Sequence, residues 1–171
     1  SLYNGALDGL SLSGDRFFYG NPLASNGKHS RREWFGTACC PANIARLISS
    51  LGNYIYGYKD NKIYVNLFVG SQTAFVLPKG EMQFTMNTNY PWEGNVQCTL
   101  NMKKKMNATI ALRLPGWANG TVAPGGLYSF VETNNTMPTL LINGESVQYQ
   151  IQDGYVMVNH DWKDNDKIEY Q

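Results

Sequence analysis

What most limits the folds open to this chain is a succession of short period-two segments that starts near Tyr54 and continues to the last residues. In Glu81-Met82-Gln83-Phe84-Thr85-Met86-Asn87 and Val96-Gln97-Cys98-Thr99-Leu100-Asn101-Met102, apolar and polar residues alternate one by one. Successive side chains of a strand point to opposite faces, so each segment gathers its apolar residues on one side of a sheet. Residues 62–69, 73–77, 108–114, 139–145, 154–158 and 167–170 read as further strands, and 162–166 as a turn. Lys103-Lys104-Lys105 reads as a solvated hairpin cluster that discourages pairing at a sheet edge. Residues 118–138 are rich in Gly, Asn, Thr and Pro and read as a long loop. Many short strands divided by turn residues predict a mainly β chain, folded as an antiparallel β-sandwich.

The first 54 residues have a different character. Leu2, Ala6 and Leu7 form a partial stripe with no cap before it, which reads as the end of a helix. Residues 16–23 read as a short aromatic strand ended by Asn21-Pro22, and 24–32 as a polar loop holding a solvated His29. Then comes Cys39-Cys40-Pro41, followed by Ile44, Leu47, Ile48 and Leu51 at the i, i+3, i+4, i+7 spacing of one helix face. Proline suits the first helical position, because the N–H it lacks has no partner there. This predicts Pro41 at that position, Cys40 as the N-cap and Gly52 as the stop. The expected layout is a helical leader over 1–54 and a sandwich over 55–171. A chain that opens inside a helix and stops within a strand is expected to be a piece of something larger.

Two thiols at a helix start have chemical consequences. Unpaired N–H groups there favour anions, so a cysteine in that position loses its proton more readily than a free one. Thiolate is the form that attacks carbon and binds soft cations. Neighbouring side chains can converge on one zinc ion, although ordinary zinc sites space their ligands further apart. Adjacency alone leaves three readings open: two small buried hydrophobes, a metal or nucleophile site, or a strained vicinal disulfide. Cys98 lies in an alternating strand and is expected to be buried and inert. Three cysteines, two of them adjacent, make no disulfide framework. A net charge of +1 provides no electrostatic attraction to nucleic acid or anionic membranes. No apolar run approaches the roughly 18 residues of a membrane span.

Several motifs together resemble the family-127 glycoside hydrolases, the β-L-arabinofuranosidases and their relatives. They are Leu2-Tyr3-Asn4, Phe17-Phe18-Tyr19 with Asn21-Pro22-Leu23, Trp34-Phe35, Cys39-Cys40-Pro41, Asn43-Ile44-Ala45-Arg46 and Ser50-Leu51. Leu114-Pro115-Gly116-Trp117, Ile142-Asn143-Gly144 and Gly154-Tyr155 with Trp162 are similar to that family's sandwich domain. The resemblance covers nearly the whole chain except about 118–138. It implies a large enzyme in which residues 1–54 complete an (α/α)6 barrel and the sandwich follows. It further implies a retaining hydrolase with Cys39 as nucleophile and zinc ligand and Cys40 as a second zinc ligand. A glutamate and a third cysteine from upstream would complete the metal site, and a separate glutamate would be the acid/base. Tyr19 corresponds to a sugar-contacting tyrosine. Neither upstream ligand nor the acid/base falls within this chain, and Glu33 reads as a solvated loop charge.

The expected function is therefore part of a glycosidase for terminal arabinofuranose or a related sugar. Zinc is expected in the full-length enzyme and is absent or weakly held by this chain alone, which is expected to be inactive. The alternative is a non-catalytic carbohydrate-binding or structural sandwich, with Tyr90, Trp92 or Trp117 as stacking platforms. The expected partner is a carbohydrate substrate, with neither nucleic acid nor membrane. The apolar stripe of 1–54 is expected to favour self-association. The sequence leaves the compartment open.

Overall fold

The computed structural model describes residues 5–20, 24–122, 125–132 and 136–171. Two motifs of the resemblance, Leu2-Tyr3-Asn4 and Asn21-Pro22-Leu23, lie outside the described residues. The chain divides into a smaller unit, Ser1–Asn53, and a larger one, Tyr54–Gln171.

Alternating sequence becomes two sheets in the larger unit. Its strands in chain order are β1 (Tyr56–Lys59), β2 (Lys62–Val65), β3 (Ser71–Leu77), β4 (Gly80–Thr88), β5 (Val96–Met102) and β6 (Met106–Arg113). After a long connection come β7 (Leu140–Ile142), β8 (Glu145–Ser146), β9 (Gln150–Gln152), β10 (Tyr155–Trp162) and β11 (Asp166–Tyr170). One sheet has the order β1-β2-β6-β10-β9 and the other β3-β4-β5-β11-β7-β8. Neighbours run antiparallel except β2 and β6, which pair in parallel with Ile63 opposite Ile110.

The core forms where the apolar faces meet. Met82, Phe84 and Met86 of β4 face inward with Val96, Cys98 and Leu100 of β5. Ile110 and Leu112 of β6, Val156 of β10 and Ile168 of β11 are wholly buried with them. Thr109 and Ala111 point to the other face of β6 yet are also buried, because β6 has a strand on each side. The buried carboxylate of Asp166 is satisfied: it accepts from the Lys163 amide at 2.8 Å and from Asn143 Nδ2 at 2.9 Å.

Turns follow local chemistry. Asn143-Gly144 joins β7 to β8, and Asp153-Gly154 joins β9 to β10, with φ of 53° and 83° in the first and 51° and 78° in the second. Two successive positive φ values are what a two-residue hairpin turn of the right twist demands.

Some expectations are corrected. The strand read at 62–69 stops at Val65, while β1, β8 and β9 were not foreseen as separate strands. Trp162, read as part of a turn, ends β10 inside the core, with no exposure and its Nε1 donating to the Ala108 carbonyl at 2.9 Å. Indole area outweighs turn neighbours here, because burying so large a ring and satisfying its one donor both favour the interior. Tyr90 packs on Phe68 at 5.4 Å, whereas Trp92 and Trp117 are largely exposed. Trp117 and Tyr90 share the lining of a cavity of about 460 Å³.

The smaller unit holds α1 (Cys39–Ser49), with the turn α2 (Gly52–Ile55) after it. Ala38, not Cys40, occupies the N-cap position, and no side chain caps the helix. Cys39 and Cys40 are thus the first two helical residues and Pro41 the third, where an amide hydrogen would still lack an intrahelical partner. Gly52 opens α2 instead of stopping α1, whose C-cap is Ser50. The described part of 1–10 holds one 3-10 turn, Leu7–Gly9. Of the aromatic strand read at 16–23, the described residues 16–20 show backbone bridges from Phe17 to Leu10 and Arg32.

Candidate functional site

The site is built at the start of α1. Its first turn presents two exposed thiols, with Cys39 Sγ 3.7 Å from Cys40 Sγ. Asn43, one turn on, donates from Nδ2 to the Cys39 carbonyl at 2.7 Å and accepts from Arg46 at 3.3 Å. This ties the first turn to the second beside the sulfur. Tyr19 comes from a loop 20 residues earlier, and its hydroxyl lies 3.1 Å from Cys39 Sγ. Its ring packs against Phe35 at 5.3 Å, yet the residue stays 44% exposed.

Electrostatics distinguish the two sulfurs. The Tyr19 hydroxyl beside Cys39 holds its thiol below the ordinary value, and the Cys40 thiol adds to this. Backbone N–H groups of the first turn act in the same direction. Cys40 moves the opposite way because its hydrogen bond to Cys39 favours keeping its own proton. Tyr19 is pushed up to about 12 for the same reason, as the donor to that sulfur. The resulting arrangement favours the thiolate form at Cys39, with the Tyr19 hydroxyl and the Cys40 thiol as donors to it.

The pair also suits a soft cation by its donor type and spacing. Two thiolates on a tetrahedral zinc ion, each at about 2.3 Å, lie about 3.8 Å apart. The observed separation is 3.7 Å. Among the described residues, no group of three or more His, Cys, Asp or Glu side chains converges to complete such a site.

Other site expectations can be placed. Glu33 is exposed and tied to Arg16 at 3.1 Å. Cys98 is buried, and burial pushes its thiol up to about 12. His29, read as solvated, is exposed, and one face of its ring stacks on Phe18, with centroids 4.7 Å apart. Phe35, Asn43 and His29 are the supporting residues that sequence reasoning passed over. Only Asn43 carried a local signal, an amide one turn beyond the first cysteine.

A model of the middle domain of glycoside hydrolase family 127 β-L-arabinofuranosidases matches residues 62–171. This chain belongs to that family. The catalytic-domain model of family 127 matches residues 1–53, the unit that carries Cys39, Cys40 and Tyr19. The chain is 30% identical to a non-reducing end β-L-arabinofuranosidase of Bifidobacterium longum subsp. longum, covering 91% of this chain and 23% of that protein. Among solved structures, a family 127 β-arabinofuranosidase aligns at 40% identity with a TM-score of 0.90, over 99% of this chain and 26% of the other. A family 127 β-L-arabinofuranosidase from Geobacillus stearothermophilus T6 aligns at 33% identity and a TM-score of 0.80, again over 99% and 26%. The chain therefore spans about a quarter of the length of these relatives.

Proposed function

We propose that this chain carries the nucleophile-bearing end of an active site that releases terminal β-L-arabinofuranose with retention of configuration. The observation that supports this most is the 3.1 Å approach of the Tyr19 hydroxyl to Cys39 Sγ at the exposed start of α1. It joins a thiol favoured as thiolate to an exposed aromatic residue, in a unit matched by the family's catalytic-domain model.

In the first step the Cys39 thiolate attacks the anomeric carbon. A C–S bond forms, the glycosidic C–O bond breaks, and the leaving oxygen takes a proton from a carboxylic acid. Water then attacks the same carbon, giving its proton to that carboxylate, and sulfur departs as thiolate. Two inversions restore the original configuration, as they do with a carboxylate nucleophile. Tyr19 donates to the sulfur in the resting and departing states, and its hydroxyl oxygen can also accept from a sugar hydroxyl. The acid/base belongs to a part of the enzyme outside this sequence.

Cys39 and Cys40 would also hold a zinc ion, with two further ligands from outside this sequence. When bound, zinc keeps its thiol ligands deprotonated. With two of four protein ligands and no acid, this chain alone is not expected to turn over a glycoside.

The test is Cys39→Ser in the full-length protein, assayed with an aryl β-L-arabinofuranoside. Losing its nucleophile should cost a factor of about a thousand or more in kcat. Turnover at the wild-type rate would remove Cys39 from the mechanism.

A further inference from the structure

Tyr19 reaches Cys39 from a loop, and a loop holds a hydroxyl at hydrogen-bond distance only if its backbone is anchored. Here Phe17, Phe18 and Gly20 are each anchored through the backbone. Phe17 exchanges two backbone hydrogen bonds with Arg32, at 2.8 and 2.9 Å. The Phe18 amide donates to the Gly9 carbonyl at 3.0 Å. Beyond Tyr19, the Gly20 carbonyl is met by His29 Nε2 at 3.1 Å. A carbonyl only accepts, so that nitrogen carries the hydrogen.

His29 makes two contacts that bracket Tyr19. Its ring stacks on Phe18, the residue before, at 4.7 Å and 24° between planes. Its Nε2 binds the carbonyl of Gly20, the residue after. Arg31 lies over the same Phe18 ring at 4.3 Å and is itself tied to the Asp8 carbonyl at 2.6 Å. The bond to Gly20 limits rotation of the backbone just beyond Tyr19, and the stack limits it just before.

We propose that His29 is a positioning residue that holds the Tyr19 hydroxyl on Cys39 Sγ, acting through the backbone on both sides of Tyr19. This rests on the reading of Cys39 as nucleophile. Imidazolium and the Nε2–H neutral form both donate to Gly20, so the role is geometric and survives a change in the charge of His29.

A double-mutant cycle in the full-length protein tests it, with an aryl β-L-arabinofuranoside as substrate. His29→Ala should lower kcat/KM roughly tenfold, as expected for one lost hydrogen bond in the transition state. In a Tyr19→Phe background the same change should cost nothing further, because the hydroxyl that His29 positions is already gone. His29→Gln, which keeps a donor near the Nε2 position, should recover most of the loss. His29→Phe keeps a ring over Phe18 without the donor; it should behave like His29→Ala, and replaces it in the cycle if His29→Ala does not fold. An equal loss in both backgrounds, or full activity in His29→Phe, would overturn the proposal. Cys39→Ser serves as the separate control. If it is inactive while the His29 effects are additive, only the positioning role fails; if it is active, the nucleophile reading fails and this proposal with it.

Discussion

Cys39 and Cys98 carry the same functional group in opposite surroundings. Cys39 sits exposed at a helix start with a phenol hydroxyl on its sulfur, which favours the thiolate. Cys98 is sealed between two sheets, where no partner compensates for a buried charge. The signs follow directly. Cys39 titrates below its ordinary 9.0, so its thiolate is present at lower pH than a free thiol allows and disappears as pH falls through the shifted value. Cys98 titrates at about 12, so the stability its neutral form contributes is present below pH 9 and is lost as pH rises through 12. In chelator-treated protein at pH 7.5, iodoacetamide should label Cys39 before Cys40, and Cys98 only after unfolding; peptide mass spectrometry reads this. Tyr19→Phe should move the midpoint of Cys39 alkylation to higher pH, because the donor that lowers it has gone. An unmoved midpoint would mean that Cys40 and the helix start set the thiol without Tyr19.

At the level of elements, periodicity was the reliable guide. The alternations in 81–87 and 96–102 became β4 and β5 with their apolar residues inside, since the pleat imposes that pattern whatever the neighbours are. Asn143-Gly144 and Asp153-Gly154 carried their turns in the dipeptide itself. Boundaries were less legible. Proline is compatible with several positions of a first helical turn, so Pro41 did not specify which residue caps α1, and Ala38 does so. Trp162 shows the other limit: flanked by Lys, Asp and Asn, it reads as a turn residue, and its burial depends on strands distant in sequence. Trp162→Ala should destabilise the fold by about 3–5 kcal/mol in urea unfolding, from lost burial and the cavity left behind. Trp162→Phe should cost less, about 1–3 kcal/mol, chiefly by leaving the buried Ala108 carbonyl without its partner. Equal costs for both would place the effect in the hydrogen bond instead of the volume.

At the level of the whole molecule, the two units differ in how well each covers its own apolar surface. The larger one encloses a continuous core from both sheets. In the smaller one Trp34 is 61% exposed and Leu47 38%, while Ile44, Ile48 and Leu51 of the helical stripe are half-buried. Apolar side chains left in water favour association in proportion to the area they can bury. Light scattering of this chain should therefore show an average mass that rises with concentration, and Leu47→Glu with Trp34→Glu should reduce the rise. A strict monomer at high concentration would show that the stripe is too broken to associate.

The order of residues by itself determined the long strands β3 to β6, which face of each is apolar, and that two thiols stand at a helix start. All of these depend on neighbours within a few positions, where pleat, helical pitch and φ preferences act directly. Tertiary structure alone decided that the phenol of Tyr19 meets Cys39, that the exposed His29 stacks on Phe18, that Trp162 is core, and that β2 runs parallel to β6. Those outcomes require residues between 10 and 55 positions apart to arrive at one place, and no local preference encodes such a meeting.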